Sequence, residues 1–84
     1  MNKKINVLFV CIANSCRSQM AEALFNELSS NYAVDATASS AGTVPADEVN
    51  PSALVVLKEL NIDHHSDPKI LSDDMMSEAD VIIS

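Results

Sequence analysis

Residues 5–30, INVLFVCIANSCRSQMAEALFNELSS, decide the fold: an apolar run stops at a cysteine, and a patterned helix begins at an arginine. The run 5–10 is β-branched, aliphatic and aromatic apart from Asn6, which reads as a buried parallel strand. The pattern over 17–30 predicts a helix. Met20, Ala21, Leu24, Phe25 and Leu28 share one face, with Glu22, Asn26 and Glu27 opposite. Strand-like alternation follows, Val34, Ala36 and Ala38 against Asp35 and Thr37, and ends near Ser40. A strand, a helix and a strand in this order imply a parallel sheet and an α/β fold.

Further along, 41–49 reads as a loop holding Gly42, the only glycine, and Pro45. A second helix is expected from Asn50 as N-cap and Pro51 as first helical residue, with Ala53, Leu54, Leu57 and Leu60 turned inward. The polar stretch 61–69 is expected to be a connecting loop. Ser72 can cap a short helix over 73–79, and 81–83 reads as a third buried strand. The predicted architecture is a three-layer α/β sandwich with a parallel sheet in the order 2-1-3.

Eighty-four residues suit one domain with a modest core. Twelve acidic residues against five basic ones give a net charge of -7, which disfavours nucleic acid and anionic membranes as partners. Met-Asn-Lys-Lys before an apolar run suggests a lipoprotein signal. The run is too short, however, and Val10 before Cys11 is not a small residue of the kind cleavage needs. No stretch is long enough to span a bilayer. Two cysteines without a processing signal point to a reducing, cytoplasmic setting.

With Cys11 at the strand end and a helix starting near Arg17, the segment between lies where open α/β sheets bind ligands. Successive N–H groups of Ile12, Ala13, Asn14, Ser15, Cys16, Arg17 and Ser18, feeding a helix N-terminus, can cradle an anion. The same field lowers a thiol's pKa and makes Cys11 a candidate nucleophile. Arg17 offers a planar fork for two oxygens of a tetrahedral oxyanion. Ser18 can donate to the Cys11 sulfur. Asn14 tolerates left-handed backbone and can turn the loop without a glycine. A Gly-rich nucleotide loop is excluded, because the segment has no Gly and no Lys.

The spacing C-x-x-x-x-x-R-S resembles that of cysteine-dependent phosphatases. VLFVCIANSCRSQMAEA, residues 7–23, more specifically resembles the low-molecular-weight phosphotyrosine phosphatase superfamily. Asn-Ser-Cys-Arg-Ser-Gln-Met-Ala-Glu is similar to its thioredoxin-coupled arsenate reductases, whereas the phosphatases typically carry Pro at the position of Gln19. Ser40-Ala41-Gly42 and 49–53 also resemble that family. The resemblance implies Cys11 as the nucleophile on arsenic or phosphorus, and Arg17 as stabiliser of the equatorial oxygens. It implies Asn14 and Ser18 as organisers of the loop and thiolate, arsenate or phosphate as ligand, and thioredoxin as partner. It further implies a structural potassium held by Asn14, Glu22 and Ser40, with a fourth ligand near Asp67. No other metal or cofactor is expected.

The family's chains continue beyond the strand 81–83 with two relay cysteines in the reductases, an aspartic general acid in both branches, and a fourth strand. A single domain over 1–84, short at its C-terminal end and lacking that strand, is therefore expected. Its apolar sheet edge would favour self-association. The leading function is an arsenate-reductase-type enzyme. The alternatives are a phosphotyrosine phosphatase and a non-catalytic oxyanion-binding fragment. Cys16 reads either as a small apolar residue at the helix start or as a thiol able to trap oxidised Cys11. His64-His65 reads as solvated loop, because adjacent side chains rarely converge on one ion. Met75-Met76 reads as core packing and Asp73-Asp74 as charge at a helix N-terminus.

Overall fold

The computed structural model describes residues 4–84. Met1 to Lys3, where a signal segment would begin, lie outside the described residues. In chain order the elements are β1 (Ile5–Cys11), α1 (Arg17–Asn31), β2 (Ala36–Gly42), α2 (Pro51–Glu59), α3 (Asp73–Glu78) and β3 (Val81–Ile83). The strands form one sheet in the order β2-β1-β3, with both pairings parallel. This is the expected α/β architecture and strand order.

The register runs from Ile5 opposite Ala36 to Cys11 opposite Gly42. The shared end of β1 and β2 therefore delivers the cysteine and the glycine side by side. β2 starts and ends later than its alternation suggests. The Ala36 N–H turns back to the Val34 carbonyl, Val34 is exposed, and Ala41 is fully buried as part of the strand. α1 lies against β1 and β2 and meets α2, while α3 touches β1. Phe9 of β1 and Phe25 of α1 meet edge to face at 6.1 Å, a favoured geometry for aromatic pairs.

The inward face of α1 matches its apolar spacing only in part: Met20 and Leu24 pack against the core and Phe25 meets Phe9, but polar residues are buried beside them. Ser18, Gln19, Glu22, Ala23 and Ser29 are buried, and Leu28 is 54% exposed. Polar groups go inside because partners await them. The Asn26 amide accepts from the Ala38 N–H at 2.7 Å and donates to the Ala38 carbonyl at 3.1 Å, imitating a neighbouring strand along β2. No buried side-chain nitrogen or oxygen among the described residues lacks a partner. Val7, Leu8, Ala38 and Ala41 of the sheet are buried, and Ala23, Leu57 and Ile62 form a cluster with Met20 and Leu24 packed against it.

α2 begins as the sequence indicates, with Asn50 Oδ1 accepting from the Ser52 N–H at 2.8 Å and Pro51 in the first turn. Only Ala53 and Leu57 of its expected inner face are buried; Leu54 and Leu60 are exposed. Ser72 caps α3 through the Met75 N–H, but α3 buries no residue, so Met75-Met76 does not form core. β3 is likewise not a buried strand, since Val81, Ile82 and Ile83 are 45–49% exposed. No helix among the described residues is long and apolar enough to cross a membrane.

Candidate active site

The loop 12–16 leaves the end of β1 and folds over Gly42. Asn14 takes the left-handed conformation expected of it, at φ 49°. Its carbonyls face outward onto the segment that follows β2. The N–H groups of Thr43, Val44, Ala46 and Asn50 donate to the carbonyls of Cys11, Ile12, Ala13 and Ser15 at 2.7–3.1 Å. Gly42 is required by this closeness. A Cβ there would stand 2.5 Å from the Ile12 oxygen and 2.9 Å from the Asn14 nitrogen.

Cys11 Sγ is the focus of the loop. The Asn14 N–H donates to it at 3.1 Å, and Ser18 Oγ lies 2.8 Å away. Ser18 Oγ already accepts from Asn14 Nδ2 at 2.8 Å, which frees its own proton for the sulfur. Partial burial alone would push the Cys11 thiol up. The Ser18 hydroxyl outweighs this together with the N–H groups of Asn14, Ser18 and Ala13, and the thiol lies below its ordinary value. The expected direction is thus present, with the hydroxyl as its largest favourable cause and the loop amides after it.

Arg17 is exposed at the first turn of α1 and lines the same cavity as Cys11. That cavity is about 600 Å³ and is otherwise mainly apolar, with Phe9, Val10, Ile12, Ala21 and Ile83 around Ser18 and Thr43. Cys16 is reduced and half-buried at the N-cap of α1, and its carbonyl accepts from the Met20 N–H. Its side chain makes no cap hydrogen bond.

Three residues absent from the expected site lie behind the loop. Gln19, fully buried, donates from Nε2 to the Asn14 carbonyl at 3.1 Å and to Asn14 Oδ1 at 3.2 Å. The Lys69 N–H donates to the same Oδ1 at 2.9 Å. His64 is not solvated: its side chain is 6% exposed, and Nε2 meets Gln19 Oε1 at 2.5 Å. Only His65 of the pair is exposed. Nothing in the local pattern of 61–69 marks His64 or Lys69. Gln19 carried a signal only through the resemblance, as the position where the phosphatases typically have Pro.

A potassium ion on Asn14, Glu22 and Ser40 does not fit this arrangement. Asn14 Oδ1 is taken by two donors, and Glu22 Oε1 accepts from the Ser40 hydroxyl at 2.9 Å. Cationic or ionisable nitrogen already flanks the buried Glu22 carboxylate, with Lys69 Nζ 4.0 Å from Oε1 and His64 Nδ1 4.0 Å from Oε2. Asp67 is exposed and offers its backbone carbonyl to Lys69 Nζ rather than a carboxylate to the site. No cluster of three or more His, Cys, Asp or Glu side chains suited to a metal occurs among the described residues.

The profile of the low molecular weight phosphotyrosine protein phosphatase family matches residues 6–84. Among curated relatives, the protein-arginine-phosphatase of Bacillus subtilis is 33% identical over 95% of this chain and 55% of its own length. Arsenate reductase 1 of Staphylococcus saprophyticus is 37% identical over 100% of this chain and 61% of its own. The chain thus spans somewhat over half the length of these relatives. A solved thioredoxin-dependent arsenate reductase from Corynebacterium glutamicum superposes with a TM-score of 0.83 at 36% identity, over 94% of this chain and 39% of that one.

Proposed function

The chain belongs to the low molecular weight phosphotyrosine protein phosphatase family, and from that membership we propose that it carries out arsenate-reductase-type thiolate chemistry on a tetrahedral oxyanion. The observation that carries this reading is the sulfur of Cys11 held by the Ser18 hydroxyl at 2.8 Å and the Asn14 N–H at 3.1 Å. Cys11 is the nucleophile. Arg17 clamps two equatorial oxygens, and the N–H groups of 12–18 line the rest of the anion. Asn14 and Ser18 organise the loop.

In the first step the Cys11 thiolate attacks arsenic. A sulfur–arsenic bond forms, an arsenic–oxygen bond breaks, and the departing hydroxyl takes one proton and leaves as water. A thiolate of reduced thioredoxin then attacks the Cys11 sulfur. The sulfur–arsenic electron pair passes to arsenic, arsenate becomes arsenite, and a mixed disulfide forms that thioredoxin's second thiol resolves. Arg17 and the amides stabilise the negative charge in both steps. A reducing, cytoplasmic compartment is where both cysteines would remain free.

A second reading is a phosphatase, in which the Cys11–phosphorus bond forms as the phosphorus–oxygen bond of an ester or the phosphorus–nitrogen bond of a phosphoramidate breaks. The departing alcohol or amine takes a proton from solvent, and water then breaks the sulfur–phosphorus bond to release phosphate and the thiol. The arginine phosphatase relative favours this, as do the apolar side chains around Cys11, which suit an organic leaving group better than bare arsenate.

The test compares wild type with Cys11→Ser in two assays: arsenate with thioredoxin, thioredoxin reductase and NADPH, and p-nitrophenyl phosphate alone. Arsenate-dependent NADPH oxidation that vanishes in the variant supports the reductase. Turnover of the aryl phosphate alone moves the assignment to the phosphatase. Phosphate binding without either turnover overturns both in favour of a non-catalytic oxyanion binder. Turnover retained in Cys16→Ser leaves the resolving thiol to thioredoxin.

A further inference from the structure

Two groups behind the loop have a fixed hydrogen-bond polarity, and they dictate every other orientation. The Lys69 N–H can only donate, so the Asn14 side-chain atom 2.9 Å from it is the oxygen. The Asn14 NH2 therefore faces Ser18 Oγ at 2.8 Å. The Asn14 backbone carbonyl can only accept, so the Gln19 atom 3.1 Å from it is the NH2. Gln19 Oε1 must then point at His64, and the imidazole must carry its proton on Nε2. A run of four hydrogen bonds thus leads from His64 through Gln19, Asn14 and Ser18 to the Cys11 sulfur.

We propose that His64 is a positioning residue for Cys11: its Nε2–H fixes the Gln19 amide, which pins Asn14 and so aims the Asn14 N–H and the Ser18 hydroxyl at the sulfur. This rests on Cys11 being the nucleophile. The geometry gives His64 leverage because Gln19 and Asn14 are fully buried, where an unpaired polar group is costly. Without the imidazole, Gln19 Oε1 is an orphaned acceptor. An amide that flipped to relieve it would press oxygen against both Asn14 oxygens. The far side of the ring is held as well: Nδ1 faces Glu22 Oε2, whose carboxylate is fixed by Ser40 and flanked by Lys69. His64 touches neither the sulfur nor the anion site and acts only through this relay.

The experiment measures the rate of iodoacetamide alkylation of Cys11 against pH, separated from Cys16 by tandem mass spectrometry, with the unfolding midpoint recorded for each protein. The set is wild type, His64→Leu, His64→Gln, Gln19→Glu and the exposed-site control His65→Gln. His64→Leu is expected to raise the apparent Cys11 pKa by about one unit, an alkylation about tenfold slower below that pKa. His64→Gln, which retains a donor, is expected to recover part of the shift. Gln19→Glu, which leaves His64 in place but puts oxygen against Asn14, is expected to raise the pKa too and decides the matter if His64→Leu does not fold. His65→Gln should match wild type. A folded His64→Leu with an unmoved Cys11 pKa overturns the assignment even if its unfolding midpoint falls, as does a His64→Gln no better than His64→Leu. A wild-type Cys11 that titrates as a free thiol would instead defeat the nucleophile reading on which the assignment stands.

Discussion

Replacing Ser18 by alanine deletes one oxygen and breaks two linked contacts. The Cys11 sulfur loses the hydroxyl 2.8 Å away, and the buried Asn14 Nδ2 loses its acceptor at 2.8 Å. A hydrogen bond to a charged acceptor contributes about 1.5–3 kcal/mol. At about 1.4 kcal/mol per pKa unit, the Cys11 thiol should rise by about one to two units. The orphaned amide costs about 1–3 kcal/mol of folding stability separately. The two effects differ in their pH dependence. A thiol lowered in the folded state contributes stability that is complete above the unfolded-state pKa and disappears as pH falls through the folded value. Wild type should therefore gain stability over Ser18→Ala as pH rises through that window, whereas the amide contribution is constant. Urea unfolding at several pH values, with alkylation rates of Cys11, measures both. A Cys11 titration unchanged in folded Ser18→Ala would refute the reasoning, because it would mean the N–H groups alone hold the thiolate.

Gly42→Ala should cost about 1–3 kcal/mol in urea unfolding and weaken phosphate binding, because its Cβ would collide with loop backbone that has no rotamer to yield. Exchanging potassium for sodium at constant ionic strength should leave the melting temperature and the Cys11 alkylation profile unchanged, since the oxygens around Glu22 already have partners; a potassium-specific rise in melting temperature would reinstate the ion. The exposed apolar strand β3 should promote concentration-dependent association, visible in sedimentation velocity, and a strictly monomeric profile at high concentration would count against it. Asn50→Ala should cost about 0.5–2 kcal/mol through the lost N-cap, read as a fall in melting temperature.

The sheet order and the turn of the loop 12–16 were legible because both are written in local pattern. An apolar strand ending at Cys11, a loop of five residues before Arg17 and the left-handed tolerance of Asn14 need no distant partner to be read. The polar part of the buried side of α1 was not legible, because periodicity assumes that polar residues face water. Glu22, Gln19 and Asn26 break that assumption only because Ser40, His64 and the backbone of Ala38 stand opposite them. Those partners lie 12 to 45 residues away in the chain. His64 shows the same limit from the other end. In a polar stretch beside His65 its sequence context is that of a solvated loop, and only the closure of 61–71 onto β2 carries it inside. That closure runs through Gly42, whose N–H and carbonyl pair with the Lys69 carbonyl and the Leu71 N–H, a bond pattern to which side chains contribute nothing readable.

The segment that grips the loop 12–16 from outside does so with main-chain protons, donated by residues 43, 44, 46 and 50. Position 45, which is skipped, is held by proline, the residue with no such proton to give. Side-chain identity along this strap is therefore largely unconstrained by the grip, so its outer surface can be rewritten, for instance to carry a fluorophore or to meet a different protein, while the loop stays in place. Imino acids are the exception: moving the proline by one position in either direction would unfasten a link and loosen the loop from behind.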